Sequence, residues 1–143
     1  ADIDARVMTA VPIEAFAEFY SRNKAVSHLN RGKVTIFGCG MGNPFFSTDT
    51  AAVLRGAEIG ADVVLMAKNI DAIYTDDPRK NPDAKKLSEV DYDYILKNHL
   101  SAIDTCAASF AMDNHMKLHI FGLDDSENIY RVIMGEKIGT IVD

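Results

Sequence analysis

Between residues 33 and 67, two apolar runs rich in β-branched residues, KVTIF and ADVVLMA, flank one helical pattern, TAAVLRGAEIG. Strand, helix, strand over so short a length leaves few architectures. It predicts a right-handed crossover with the two strands parallel. Continuous apolar runs without polar alternation predict strands covered on both faces. The link from the first strand to the helix is FGCGMGNPFFSTDT, residues 37–50, with glycines at 38, 40 and 42 and an Asn-Pro turn. Ser47, Thr48 and Asp49 are candidate helix caps. This loop lies beyond the carboxyl end of a strand, where open α/β sheets bind ligands. Its glycines let backbone N–H groups approach an anion, and the helix after Thr48 presents free amides and a partial positive charge. Phe45 and Phe46 could flank a base or ring. The plainer reading is that at least one of them packs on the sheet edge.

The remaining segments extend the same pattern. RVMTAV (6–11) reads as a strand; Pro12, Phe16, Phe19, Tyr20, Val26 and Leu29 follow at helical spacing and predict a helix closed by Gly32. KNIDAIYTDDPRKNPDAKK (68–86) is a turn-rich excursion broken by Pro78 and Pro82, a length of loop that is usually functional. Asp91 caps a predicted helix through YDYILKNHL, and a second helix starts near Asp104. KLHIFGL (117–123) is a third strand, followed by a short helix around ENIYRVIM and a last strand, IGTIVD. The fold class predicted is α/β with a mainly parallel sheet.

With 143 residues and 48% hydrophobic content the chain supports one core. A net charge of −6 argues against a nucleic-acid or anionic-membrane surface, which needs clustered Lys and Arg. No apolar run has bilayer-spanning length, and ADIDARVMTA lacks a secretory pattern, so a cytoplasmic location is expected. Cys39 and Cys106 fit neither a disulfide framework nor a zinc pattern and read as reduced thiols. His28, His99, His115 and His119 are scattered without ligand spacing, so no metal site is assigned to protein side chains. Asp124, Asp125 and Glu127 read as a solvated turn, and Met66, Met112, Met116 and Met134 as core filler.

Two phosphate-binding motifs are excluded on their own terms. No GK[ST] is present, which removes the Walker A loop. Gly38 and Gly40 imitate the start of a dinucleotide fingerprint, but Asn43 occupies the third glycine position, Pro44 follows it, and Asp62 opens its strand instead of ending it.

GMGNPFFSTDTAA, ADVVLMAKNIDAIYTDDP, AIDTCAASFAMDN and RVIMGEKIGTIVD, in that order, resemble the C-terminal part of the bacterial UMP kinases, members of the amino acid kinase superfamily. The resemblance runs from about Asp2 to the C-terminus. It implies a three-layer αβα sandwich truncated at its N-terminus, with residues 1–143 forming the C-terminal nucleotide-binding portion of the domain. It also implies phosphoryl transfer from ATP to UMP with Mg2+, a step of pyrimidine nucleotide biosynthesis, in a homo-oligomer that in the family is usually a hexamer. On the matching positions, Met41, Gly42, Asn43, Pro44, Phe45, Phe46, Ser47 and Thr48 would hold UMP, and Lys68, Asn69, Tyr74 and Asp77 would hold ATP. Asp49, Asp104 and Lys68 would act at the reacting phosphates.

Such roles suit a reaction that asks the protein mainly for alignment and charge neutralisation. Read without the resemblance, Lys68 is a solvated loop lysine, Asp77 a turn former before Pro78, and Asp104 an N-cap. Met41 stands where the family carries threonine and removes a hydroxyl, and Ala72 replaces a glycine of the VDGVY pattern. The family's N-terminal half, with a first glycine loop and a catalytic lysine, has no counterpart, so the chain is expected to be a fragment and a poor kinase alone. Three other readings stay open: a non-catalytic nucleotide-binding or assembly module of the same fold, a relative acting on a carboxylate or carbamate, and, more remotely, a dinucleotide oxidoreductase.

Overall fold

The computed structural model describes residues 2–143, which form two compact units meeting in sequence at Gly60 and Ala61. In the first unit, β1 (Ala5–Thr9) is the central strand of a parallel three-stranded sheet, flanked by β2 (Glu18–Phe19) and β3 (Val34–Gly38). Two helices complete it, α1 (Arg22–Leu29) and α2 (Thr48–Ile59). Ser21 caps α1 and Ser47 caps α2, each accepting a hydrogen bond from the amide three residues on. Gly60 ends α2 in the left-handed region that glycine adopts without a steric penalty.

The predicted helix over 12–32 is shorter than expected. Residues 13–16 make a tight turn, with Phe16 and Ala17 amides on the Ile13 carbonyl, and Glu18–Phe19 pair with β1 instead. Tyr20 continues that pairing through its amide to Thr9 and sets its ring edge-on to Phe37. The aromatic spacing at 16, 19 and 20 thus serves a strand and a turn, and the helix waits for a capping serine.

Two further expectations change. β3 does not pair with the strand that follows α2; its partner is β1, in a five-residue parallel register from Ala5–Val34 to Thr9–Gly38. The crossover rule holds for strands of one sheet, and β3 and the strand after α2 belong to different sheets. Nor is β3 covered on both faces. Met8, Ala25 and Val53 are fully buried, but the face of the sheet opposite Met8 presents Val7, Val34 and Ile36 at 43%, 48% and 51% exposure. Val7 and Ile36 are register partners, so this is one continuous apolar face.

The second unit is built on a mixed sheet in the order β4 (Val64–Lys68), β8 (Leu118–Gly122), β9 (Thr140–Val142), β7 (Glu89–Val90). β4 and β8 run parallel, β9 runs antiparallel to β8, and β7 is parallel to β9. The excursion after β4 carries a short antiparallel pair, β5 (Ile73–Tyr74) and β6 (Lys86–Leu87), where the sequence indicated only turns. α3 (Tyr92–Lys97) and α4 (Thr105–Asp113) start at Asp91 and Asp104 as predicted, each aspartate accepting from an amide in the first turn. α5 (Glu127–Ile133) precedes β9. Ile73, Ile95, Leu118, Ile120, Phe121 and Val142 are buried at the centre. Met66 and Met116 are buried as core filler, while Met134 is 66% exposed, because it follows the last turn of α5 at its C-cap.

One buried hydroxyl ties the excursion to this sheet. Thr140 Oγ1, on β9, accepts from the Ile73 amide at 2.8 Å and donates to the Leu87 carbonyl at 2.5 Å. Both strands of the β5–β6 pair are thereby fixed to β9, which holds the intervening turns in place. Among the described residues no helix is long and apolar enough to cross a membrane.

Candidate functional site

In the first unit the loop after β3 is held in a conformation that favours glycine. Cys39, Gly40, Gly42 and Phe45 all have φ between 58° and 73°. Gly42 also lies against Ala10, where an added Cβ would sit 2.7 Å from the carbonyl oxygen. Glycine is required there by both backbone sign and space. The Gly42 amide closes a turn on the Cys39 carbonyl, and Asn43 Nδ2 reaches the Met41 carbonyl only at 3.5 Å. Ser47 Oγ accepts from the Thr50 amide at 3.1 Å and completes the start of α2, with Asp49 half-buried in its first turn.

The two phenylalanines do not pack into the sheet edge. Phe45 is fully exposed and Phe46 half exposed. A bulky residue with positive φ costs about 1–3 kcal/mol unless its surroundings impose it.

In the second unit, all four residues matched to ATP line two adjoining clefts beyond the carboxyl ends of β4 and β8. One, of about 350 Å³, is lined by Lys68, Asn69, Asp71, Gly122 and Asp124. The other, of about 310 Å³, is lined by Tyr74, Asp77, His99 and Ala102 among others. Ile70, Pro78 and Arg79 belong to both. The carboxyl end of parallel strands is where α/β sheets leave room for ligands, because the connecting loops diverge there.

Lys68 is half-buried at the end of β4, and its Nζ donates to the Ala102 carbonyl at 2.6 Å. Ala102 lies two residues before Asp104, whose carboxylate accepts from the Ala107 amide at 2.9 Å. Residues 34 positions apart are thus brought together, with the lysine tied to the segment that leads into α4. Asp104 is an N-cap as its isolated reading foresaw, and that cap fixes it beside the lysine's partner segment.

Asp77 is bound into its own turn. Its Oδ1 accepts from the Arg79 amide at 3.0 Å and from Arg79 Nε at 3.2 Å, and Lys80 Nζ is 3.8 Å from Oδ2. The Arg79 amide and then its side chain hold this carboxyl below its ordinary range. Tyr74 Oη donates to Asp71 Oδ1 at 2.9 Å, and Lys86 Nζ donates to Asp71 Oδ2 at 3.0 Å. Partial burial raises the Asp71 carboxyl, but the hydrogen bonds from Lys86 and Tyr74 outweigh it and the group lies below its ordinary value. The same bond to a carboxylate raises the Tyr74 hydroxyl. Ala72, which replaces a family glycine, is fully buried and is not among the residues of positive φ, so it fits the turn.

Asp71 and Arg79 have no assigned role in the sequence reading. Asp71 lies inside a motif that was recognised, yet its partners come from the register that sets Tyr74 opposite Lys86, and the stretch 75–85 between two-residue strands carries no periodic signal. Arg79 follows a proline in a turn, and only the folded excursion places it between two clefts.

The chain matches the amino acid kinase family over residues 2–122. It is similar to the UMP kinase of Bacillus anthracis, at 35% identity and a TM-score of 0.94, over 100% of this chain and 59% of that one. The UMP kinase of Ureaplasma parvum aligns at 28% identity and a TM-score of 0.91, over 99% and 61% of the two chains. The uridylate kinase of Archaeoglobus fulgidus aligns at 26% identity and a TM-score of 0.67, over 84% and 57%. The chain therefore spans about three-fifths of the length of these relatives.

Proposed function

The chain belongs to the amino acid kinase family, and from that membership we propose that it is the nucleotide-binding part of an ATP-dependent UMP kinase. The observation that carries this reading is the convergence of Lys68, Asn69, Tyr74 and Asp77 on two clefts that share a wall. In this reading the loop Met41–Thr48 takes UMP, with backbone amides for its phosphate and Phe45 and Phe46 for its base. The clefts take ATP, with its base toward Tyr74 and its phosphates toward Lys68.

Lys68 would neutralise charge on the nucleotide as a point charge already fixed by the Ala102 carbonyl, which spares it an ordering cost during reaction. Asp104, the N-cap of α4, and Asp49, in the first turn of α2, would orient lysine and metal. Among the described residues no three His, Cys, Asp or Glu side chains stand as a metal-binding group. Magnesium would accordingly rest on nucleotide phosphates with one or two carboxylates, and when bound it neutralises phosphate oxygens.

Calorimetric titration of the purified chain with magnesium-ATP and, separately, with UMP tests the assignment. Saturable ATP binding is expected. Absence of both heats would overturn the nucleotide-site reading. Steady UMP-dependent ADP production at an ordinary enzyme rate would instead overturn the expectation of a poor kinase. Binding of both nucleotides without turnover would favour a module retained for binding.

A further inference from the structure

Asp71 bridges two strands and two clefts. Its carboxylate takes one donor on each oxygen, Tyr74 Oη on Oδ1 and Lys86 Nζ on Oδ2, and those donors stand opposite each other in the β5–β6 register. Asp71 itself lines the Lys68 cleft, while Tyr74 lines the other. The approach is close enough to restrict its neighbour: a Cβ on Gly122 would meet the Asp71 Cα at 3.1 Å and Asp124 Oδ1 at 2.6 Å. The end of β8 is thus glycine where the Asp71 turn packs over it.

Stability does not account for this arrangement. Asp71 and Lys86 are 51% and 45% exposed, and ion pairs so exposed contribute little to folding. A tyrosine, however, turns about two side-chain bonds, and anchoring its hydroxyl fixes its ring. Resting on the ATP assignment above, the geometry points to Asp71 as a positioning residue. It holds the Tyr74 ring as a preset platform for the nucleotide base, with Lys86 holding the carboxylate in turn. The ordering cost of the tyrosine is then met before the ligand arrives.

Calorimetry on the whole chain with adenosine, inorganic tripolyphosphate and magnesium-ATP separates base from phosphate recognition. Asp71→Ala and Tyr74→Phe, which keeps the ring and removes the hydroxyl, should each weaken adenosine and ATP about fivefold, the worth of one net hydrogen bond, and neither should weaken tripolyphosphate. The double variant should lose no more than either single one, because both remove the same contact. Asp71→Asn retains an acceptor for the tyrosine and should recover most of the loss. Melting curves of each variant show whether it folds, and Tyr74→Phe carries the test if Asp71→Ala does not.

Adenosine affinity within twofold of the unaltered chain in Tyr74→Phe, or additive losses in the double variant, would overturn the positioning role while leaving the ATP site standing. An unaltered chain that binds none of the three probes would overturn the ATP site, and the role of Asp71 with it.

Discussion

The UMP role proposed for Phe45 sets binding and stability in opposition at one residue. Its φ of 68° is strained for a phenylalanine, and its side chain gains no burial in return. Phe45→Gly should leave the melting temperature unchanged or raise it, by up to about 1 kcal/mol of stability, since relief of strain outweighs the entropy that glycine adds to the unfolded chain. UMP affinity measured by calorimetry should fall at the same time. A clear loss of stability would mean that the ring makes contacts that support the fold. The turns of the loop around Phe45 and the start of α2 were legible because glycine, Asn-Pro and a capping serine each carry a local signal. The exposure of the ring was not, because burial depends on what packs above the sheet.

At the scale of elements, caps were readable and partners were not. Ser47, Asp91 and Asp104 start helices where the sequence indicates, since a cap involves only the next three residues. The partner of β3 and the existence of β2, β5 and β6 depend on residues distant in the chain. So does Thr140, an ordinary threonine in a short strand whose buried hydroxyl serves Ile73 and Leu87. Thr140→Val preserves shape but strips two backbone groups of their partner, at a cost of about 2–4 kcal/mol. Thermal unfolding should register that loss, and hydrogen exchange should show the Ile73 amide losing protection first. An unchanged melt would mean that water replaces the hydroxyl.

For the molecule as a whole, the apolar runs that announced buried strands were correct in kind and incomplete in context. Val7, Val34 and Ile36 form a face that a parallel sheet normally covers, and here it meets water. Exposed apolar patches of this kind promote association. The chain should self-associate at high concentration by light scattering, and Ile36→Lys should reduce the effect with little change in melting, because the site is already half exposed. A clean monomer for the unaltered chain would sink this expectation.

The two exposed cysteines divide themselves between the units, Cys39 at the head of the glycine loop and Cys106 two residues beyond Asp104. Each unit therefore carries its own alkylatable handle beside the segment assigned to one nucleotide. Covalent labelling, read thiol by thiol, would report the segments proposed for UMP and for ATP as separate footprints. Because both thiols are exposed, an alkylating reagent would mark the loop and the start of α4 without any change of sequence.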